Sequence, residues 1–140
     1  MKKILLSLLL LITGICKSQT VVGPSVVSWG GSVGYSFDPN QETYLWGTWV
    51  NYEFDRRKLI TPMLGAGIIT WNTPTITSRY FVPQLQVGLV TQNGLVLYLG
   101  FIDQKKYSIG MGFYTGYQQF RIEYDPSMKI VSFGCGYVIK

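Results

Sequence analysis

This sequence predicts an all-β fold: eight antiparallel strands in a meander, closed into a transmembrane β-barrel. Three features point there. Gly, Pro, Asn and Asp cut the chain into short segments, and those segments are rich in Val, Ile, Thr, Tyr, Phe and Trp and alternate with a period of two. The face opposite the apolar one holds Gly, Ser and Gln, where a soluble protein carries Lys, Glu and Asp.

The chain opens with an export signal. Lys2-Lys3 precedes an apolar run, Ile4 to Ile12, that weakens through Thr13, Gly14 and Ile15 into Cys16-Lys17-Ser18. A basic start, a short apolar stretch and small residues before the cut define a secretory signal peptide, and the run is well short of the ~20 residues of a spanning helix. Cleavage is expected between Ser18 and Gln19, so 1–18 is removed and 19–140 forms a single barrel domain. Cys16 could instead be the lipidated residue of a lipoprotein, but a bulky Ile15 stands where such signals carry a small residue. Losing Lys2, Lys3 and Lys17 leaves nine basic residues against seven acidic ones, a net +2 in place of +5. No Lys/Arg stripe remains, which argues against a nucleic-acid partner. Cys135 is then the only thiol of the mature chain, so no intramolecular disulfide staples the fold.

The strands follow in order. The first, 26–37, stops at Asp38-Pro39-Asn40, and the second, 43–54, at Asp55-Arg56-Arg57-Lys58. The third, 60–71, ends at Asn72-Thr73-Pro74, and the fourth, 77–91, at Gln92-Asn93-Gly94. The fifth, 95–102, gives way to Asp103-Gln104-Lys105-Lys106, and Thr115-Gly116 separates the sixth, 107–114, from the seventh, 117–124. Asp125-Pro126-Ser127 leads into the eighth, 129–139. Pro83 conflicts with a closed barrel, which has no edge strand where a missing N–H is harmless; a bulge or a shorter fourth strand is expected there.

Parity separates two faces. One carries Val33, Val50, Leu64, Leu85, Leu97, Ile109, Ile122 and Phe133 among others; the second carries Ser28, Gly30, Gly47, Asn51, Gly65, Gln84, Gln86, Ser108, Gln119 and Gly134. With so few charges the second face would make a poorly soluble surface, so the barrel is read inside out, apolar wall to lipid and small residues filling the interior. Aromatic residues of outward parity form two girdles: Tyr35, Tyr44, Trp46, Phe101 and Tyr107 near the outer rim, Trp29, Tyr52 and Tyr137 near the periplasmic one.

On this pattern the chain resembles the small eight-stranded outer-membrane β-barrel proteins across essentially all of 19–140. The last strand, with Val131, Phe133, Cys135, Tyr137 and Ile139 alternating outward, looks like the C-terminal assembly signal of that family, departing from it in ending on Ile139-Lys140. The resemblance implies the outer membrane of a Gram-negative envelope, with the lipid bilayer and another outer-membrane protein or complex as partners. It is a likeness of pattern and transfers no functional residue.

Chemistry is sparse. The chain has no His, which removes the usual general base, zinc ligand and nucleophile partner. No catalytic, cofactor-binding or metal-ligating residue is expected. Glu53, Arg121 and Glu123 have interior parity and are read as a charge network, favoured over an acid/base pair because an unpaired interior charge is so costly. Arg121 and Glu123 lie two residues and ~7 Å apart on one face; two acids and one base leave a negative charge for Gln119 or Asn51 to satisfy. Trp49, also of interior parity, has no evident role. The connections are short, whereas receptors and lid-gated enzymes place function in long loops. The expected role is a non-enzymatic integral outer-membrane barrel, structural or accessory to a larger assembly. The alternative is a secreted or periplasmic soluble β-barrel holding a small apolar ligand within an inward apolar face.

Overall fold

The computed structural model describes residues 23–38, 43–73, 76–103 and 106–139, the side chains of 72–73, 76–80 and 103 excepted. The signal segment 1–18 lies outside the described residues. Eight strands occur in order: β1 (Ser25–Ser36), β2 (Tyr44–Phe54), β3 (Ile60–Thr73), β4 (Ile76–Thr91), β5 (Leu95–Asp103), β6 (Lys106–Thr115), β7 (Gln118–Asp125) and β8 (Ile130–Ile139). Their ends fall within two residues of those read from sequence. Each strand pairs antiparallel with the next, and β8 returns to β1 from Val27↔Ile139 to Ser36↔Ile130, closing the barrel.

Closure gives every strand one inward and one outward row. β2 alternates exposed and buried without a break from Tyr44 to Phe54, turning Leu45, Gly47, Trp49, Asn51 and Glu53 inside. The aliphatic face is the outside: Leu64, Leu85, Leu97, Ile109 and Phe133 are all exposed, while Ser28, Asn51, Gln86, Ser108 and Gln119 are buried within. The strand face that carries Gly, Ser and Gln points inward and the aliphatic face points outward.

Apolar plugs occupy both ends of the interior. Leu45, Ile69, Ile102 and Ile130, backed by Trp71, Val82 and Met128, fill the end away from the chain termini. Met63, Val90, Val96, Tyr98 and Tyr114 form a second cluster reaching to the terminal end. Tight hairpins turn at Gly94 (φ 87°) and Gly116 (φ 60°), where a side chain would strain the backbone.

The fourth strand is not shortened at Pro83, and the irregularity of its ladder with β3 falls not at Pro83 but between Trp71 and Thr73, opposite Ile76–Tyr80. β4 is the longest strand and keeps Pro83 in register with Ile68 of β3. The ladder from β4 to β5, however, runs only from Leu85↔Phe101 to Val90↔Val96. Pro83 therefore has no β5 neighbour to disappoint, and β4 rises past β5 as the outer strand of a hairpin with β3.

Candidate functional site

The larger polar side chains gather at the waist and at the terminal end of the interior, while Ser36, Thr43, Thr70 and Asp125 are buried at the other end. β2 and β7 supply most of them: Trp49, Asn51 and Glu53 alternate on β2, as do Gln119, Arg121 and Glu123 on β7. All except Glu123, which is half-buried, are enclosed.

Arg121 is 3% exposed, and its guanidinium carbon lies 3.6 Å from the centre of the Trp49 ring and 4.7 Å from that of Tyr98. A cation enclosed in this way is stabilised by the ring faces and by its hydrogen bonds rather than by water. Arg121 Nη1 donates to Gln86 Oε1 at 2.8 Å, Gln86 Nε2 to Gln84 Oε1 at 2.7 Å, and Gln84 Nε2 to Glu123 Oε1 at 2.6 Å. Tyr98 donates to the other Glu123 oxygen at 2.8 Å. Arg121 and Glu123, near neighbours on one strand, are thus joined by a relay of two glutamines and a tyrosine and make no direct ion pair. Asn51, its amide nitrogen toward Gln86 Oε1 at 3.0 Å, presents its oxygen to the same guanidinium. Gln119, the other expected donor, has no protein partner at either amide atom.

Glu53 belongs to a separate group. It is fully buried and accepts from Arg56 Nη1 at 3.1 Å and from the Tyr114 hydroxyl, which also lies 3.2 Å from Ser28 Oγ. Arg56, read from sequence as part of the turn after the second strand, is 2% exposed and sits 4.9 Å from the centre of the Tyr114 ring. The cause is local. Asp55 takes a left-handed φ of 37°, which an Asp tolerates better than most residues, and the reversed chain carries Arg56 back toward the terminal end of the barrel. Its neighbour Arg57 stays outside and pairs with Asp55 at 2.6 Å. That pairing holds the Asp55 carboxyl below the usual carboxylate range.

Arg56 is the residue that sequence reasoning missed, and two signals could have found it. Glu53, Arg121 and Glu123 left one negative charge unmatched, and Arg56 lies three residues beyond Glu53, just past the end of its strand. With Arg56 counted, Glu53 and Glu123 are matched by two bases; Asp125, buried at the other end of β7, is held by the turn it caps, accepting from Ser127 and Met128.

Glycine makes the room. A Cβ at Gly30 or Gly136 would collide with the Trp49 ring, one at Gly110 with the Tyr98 ring, and one at Gly65 with Asn51. Trp49 thus reaches from β2 across β1 to β8 through a slot of two glycines and provides the platform on which Arg121 rests.

The expected aromatic anchors all stand on the outer wall: Trp29, Tyr35, Tyr44, Trp46, Tyr52, Phe101, Tyr107 and Tyr137 are 39–53% exposed. Several pair around the rims, Tyr35 with Tyr44 at 5.2 Å, Trp46 with Phe81 at 6.2 Å and Tyr52 with Phe54 at 4.8 Å between ring centroids. Cys135 is a free thiol exposed on this wall.

Chemically, the interior groups tie strands together. Arg121 on β7 is held by β2, β4 and β5; Glu123 by β4 and β5; Tyr114 on β6 meets β1 and β2. Among the described residues, no three His, Cys, Asp or Glu side chains are grouped to hold a metal ion. The molecule is a closed eight-stranded antiparallel β-barrel with a side-chain-filled interior that carries a polar network, and with an apolar outer wall. Comparison with protein-family models, curated proteins and solved structures gives no match to this chain.

Proposed function

We propose that the protein is an integral outer-membrane β-barrel, exported through a cleaved signal peptide, with a non-enzymatic role as a structural element or accessory subunit of a larger membrane assembly. The observation that carries this reading is the outer wall. Large aliphatic and aromatic side chains stand exposed on all eight strands, while the groups able to meet water are turned inside. A water-soluble monomer rarely exposes a contiguous apolar patch of more than ~300–600 Å², and an apolar band encircling a barrel is the surface that lipid solvates.

The height of the band agrees. Tyr44 and Phe54, outward aromatics at the two ends of β2, are ten residues apart, about 33 Å along the strand and about 25 Å along the axis at a usual tilt near 40°. The apolar belt of outer-membrane barrels is about as tall.

Fractionation tests the reading. The mature chain is expected in the membrane fraction, extracted only by detergent, and its recovery in the soluble fraction without detergent overturns the proposal. Leu97→Arg, which puts a charge on the middle of the wall, should cost ~2–4 kcal/mol in lipid. Measured by urea titration in vesicles, no loss at that position would place Leu97 away from lipid.

A further inference from the structure

The turn between β2 and β3 carries all the exposed charge that the described residues place at the terminal end. The other connections there, Gln92-Asn93-Gly94 and Gly116-Tyr117, are uncharged, as are Gly23 and Pro24 ahead of β1. Within the turn Arg56 is folded inside, which leaves Arg57 and Lys58 outside with Asp55, two cations against one carboxylate. Arg57 uses its Nε on Asp55 at 2.6 Å; its Nη atoms and the Lys58 Nζ have no hydrogen bond or ion pair among the described residues.

The backbone fixes this arrangement. Lys58 N–H donates to Asp55 O at 3.1 Å, and Thr61 Oγ1 donates to the same carbonyl at 3.0 Å. Asp55 N–H donates to Pro24 O at 2.8 Å, and Leu59 O accepts from Gln92 N–H at 2.9 Å. The turn is thereby tied to β3, to the residue ahead of β1 and to the next hairpin, so its outward side chains start from a fixed frame and binding has less to order. Apolar surface adjoins the cations. Leu59 is 74% exposed, more than any other large apolar side chain among the described residues, and Phe54 and Ile60 stand exposed beside it. Phe54 meets Tyr52 of the terminal girdle edge-on, and Ile60 heads the outward row of β3 that continues through Pro62 and Leu64. The apolar wall therefore runs unbroken into the turn.

We propose that this turn binds the phosphate of an anionic phospholipid from the leaflet at the terminal end of the barrel. The proposal deepens the outer-membrane reading and rests on it. Arg57 Nη and Lys58 Nζ supply charged donors to the phosphate oxygens, and Leu59, Ile60 and Phe54 lie against the glycerol backbone and the first acyl carbons.

Charge complementarity selects the headgroup. A zwitterionic lipid brings an ammonium as well as a phosphate, and no free carboxylate meets that ammonium here: Asp55 is held by Arg57, and Glu53 is buried against Arg56 and Tyr114. One net negative charge matches the one net positive charge of the turn. Continuity selects lipid over an acidic polypeptide, because the apolar flank of the turn belongs to the wall that includes Leu64 and is covered by whatever covers that wall. At the opposite end the described cations are engaged, Lys129 with Asp38 at 3.2 Å and Lys106 over the Trp71 ring.

The test uses the purified mature protein in detergent micelles, with phosphatidylglycerol and phosphatidylethanolamine of identical acyl chains added in equal amounts. Native mass spectrometry counts the lipids retained. A cation near an anionic lipid surface changes occupancy roughly fivefold, so phosphatidylglycerol should be retained at least about fivefold over phosphatidylethanolamine. Arg57→Gln combined with Lys58→Gln should bring the ratio close to one, Arg57→Lys should keep it, and Lys106→Gln combined with Lys129→Gln should leave it unchanged. Heat-modifiable gel migration checks that each variant has folded. Equal retention of the two lipids by wild type, a preference that survives the Arg57/Lys58 variant, or one lost in the Lys106/Lys129 variant overturns the proposal. So does displacement of phosphatidylglycerol by inorganic phosphate at constant ionic strength, which would make this a site for free phosphate. Protein recovered in the soluble fraction without detergent overturns this proposal together with the membrane reading, whereas detergent-extracted protein with no lipid preference overturns this proposal alone.

Discussion

Two buried cations hold this barrel together in different ways. Arg56 meets its carboxylate directly, three residues from Glu53, at the terminal end of the interior. Arg121 touches no carboxylate; it lies against the rings of Trp49 and Tyr98 and is joined to Glu123 through Gln86 and Gln84. The first group is mostly local in sequence, closed by Tyr114 and Ser28, whereas the second draws on β2, β4, β5 and β7 and exists only once the barrel has closed. A short-range pair can form early, but a cross-barrel network reports the complete fold.

That contrast is open to mutation, and the largest effect is expected at the waist. Arg121→Met removes the donor to Gln86 and Asn51 and leaves Glu123 without a nearby interior counter-charge, at an expected cost of ~3–5 kcal/mol. Urea titration in vesicles, or the loss of heat-modifiable gel migration, measures it; wild-type stability in this variant would mean that the network contributes nothing. Trp49→Leu should come next at ~2–4 kcal/mol, since it empties the slot over Gly30 and Gly136 and removes the platform under Arg121. Combined with Arg121→Met it should cost less than the sum of the two, because the residues are in contact. Strict additivity would break the idea of a single clamp.

Glu53→Gln is expected to be milder. The amide keeps an acceptor for Tyr114 and loses only the ionic part of the Arg56 contact, about 1–3 kcal/mol. A cost equal to that of Arg121→Met would erase the distinction between the two sites. Smallest of all is Arg57→Ala, which should leave the unfolding midpoint unchanged, because its pair with Asp55 is exposed. Its effect should appear in titration instead. Asp55 has a lowered folded-state pKa, so the pairing is present above the unfolded value and is lost as pH falls through the folded one. In the variant, the Asp55 carboxyl followed by NMR should titrate at a higher pH than in wild type; an unchanged titration would deny Arg57 that role.

Strand count, order and the two faces were legible in the sequence, because a β-strand alternates with a period of exactly two and turn residues reset that count at each hairpin. Tyr44, Trp46, Val50, Tyr52 and Phe54 could therefore be placed on one wall and Asn51 and Glu53 on the other without coordinates. Parity says which face a side chain takes and nothing of what it meets across the lumen. Only the closed barrel decided that Arg121 crosses to the indole of Trp49, that Gln84 and Gln86 carry its link to Glu123, and that Gln119 stays outside the network. It also decided that the left-handed turn at Asp55 folds Arg56 inward beside Glu53, and that β4 overshoots β5 so that Pro83 interrupts no ladder there. Local backbone chemistry sets an alternation that can be read along one chain, while contacts across the barrel depend on the stagger between strands, which emerges only when all eight close on one another.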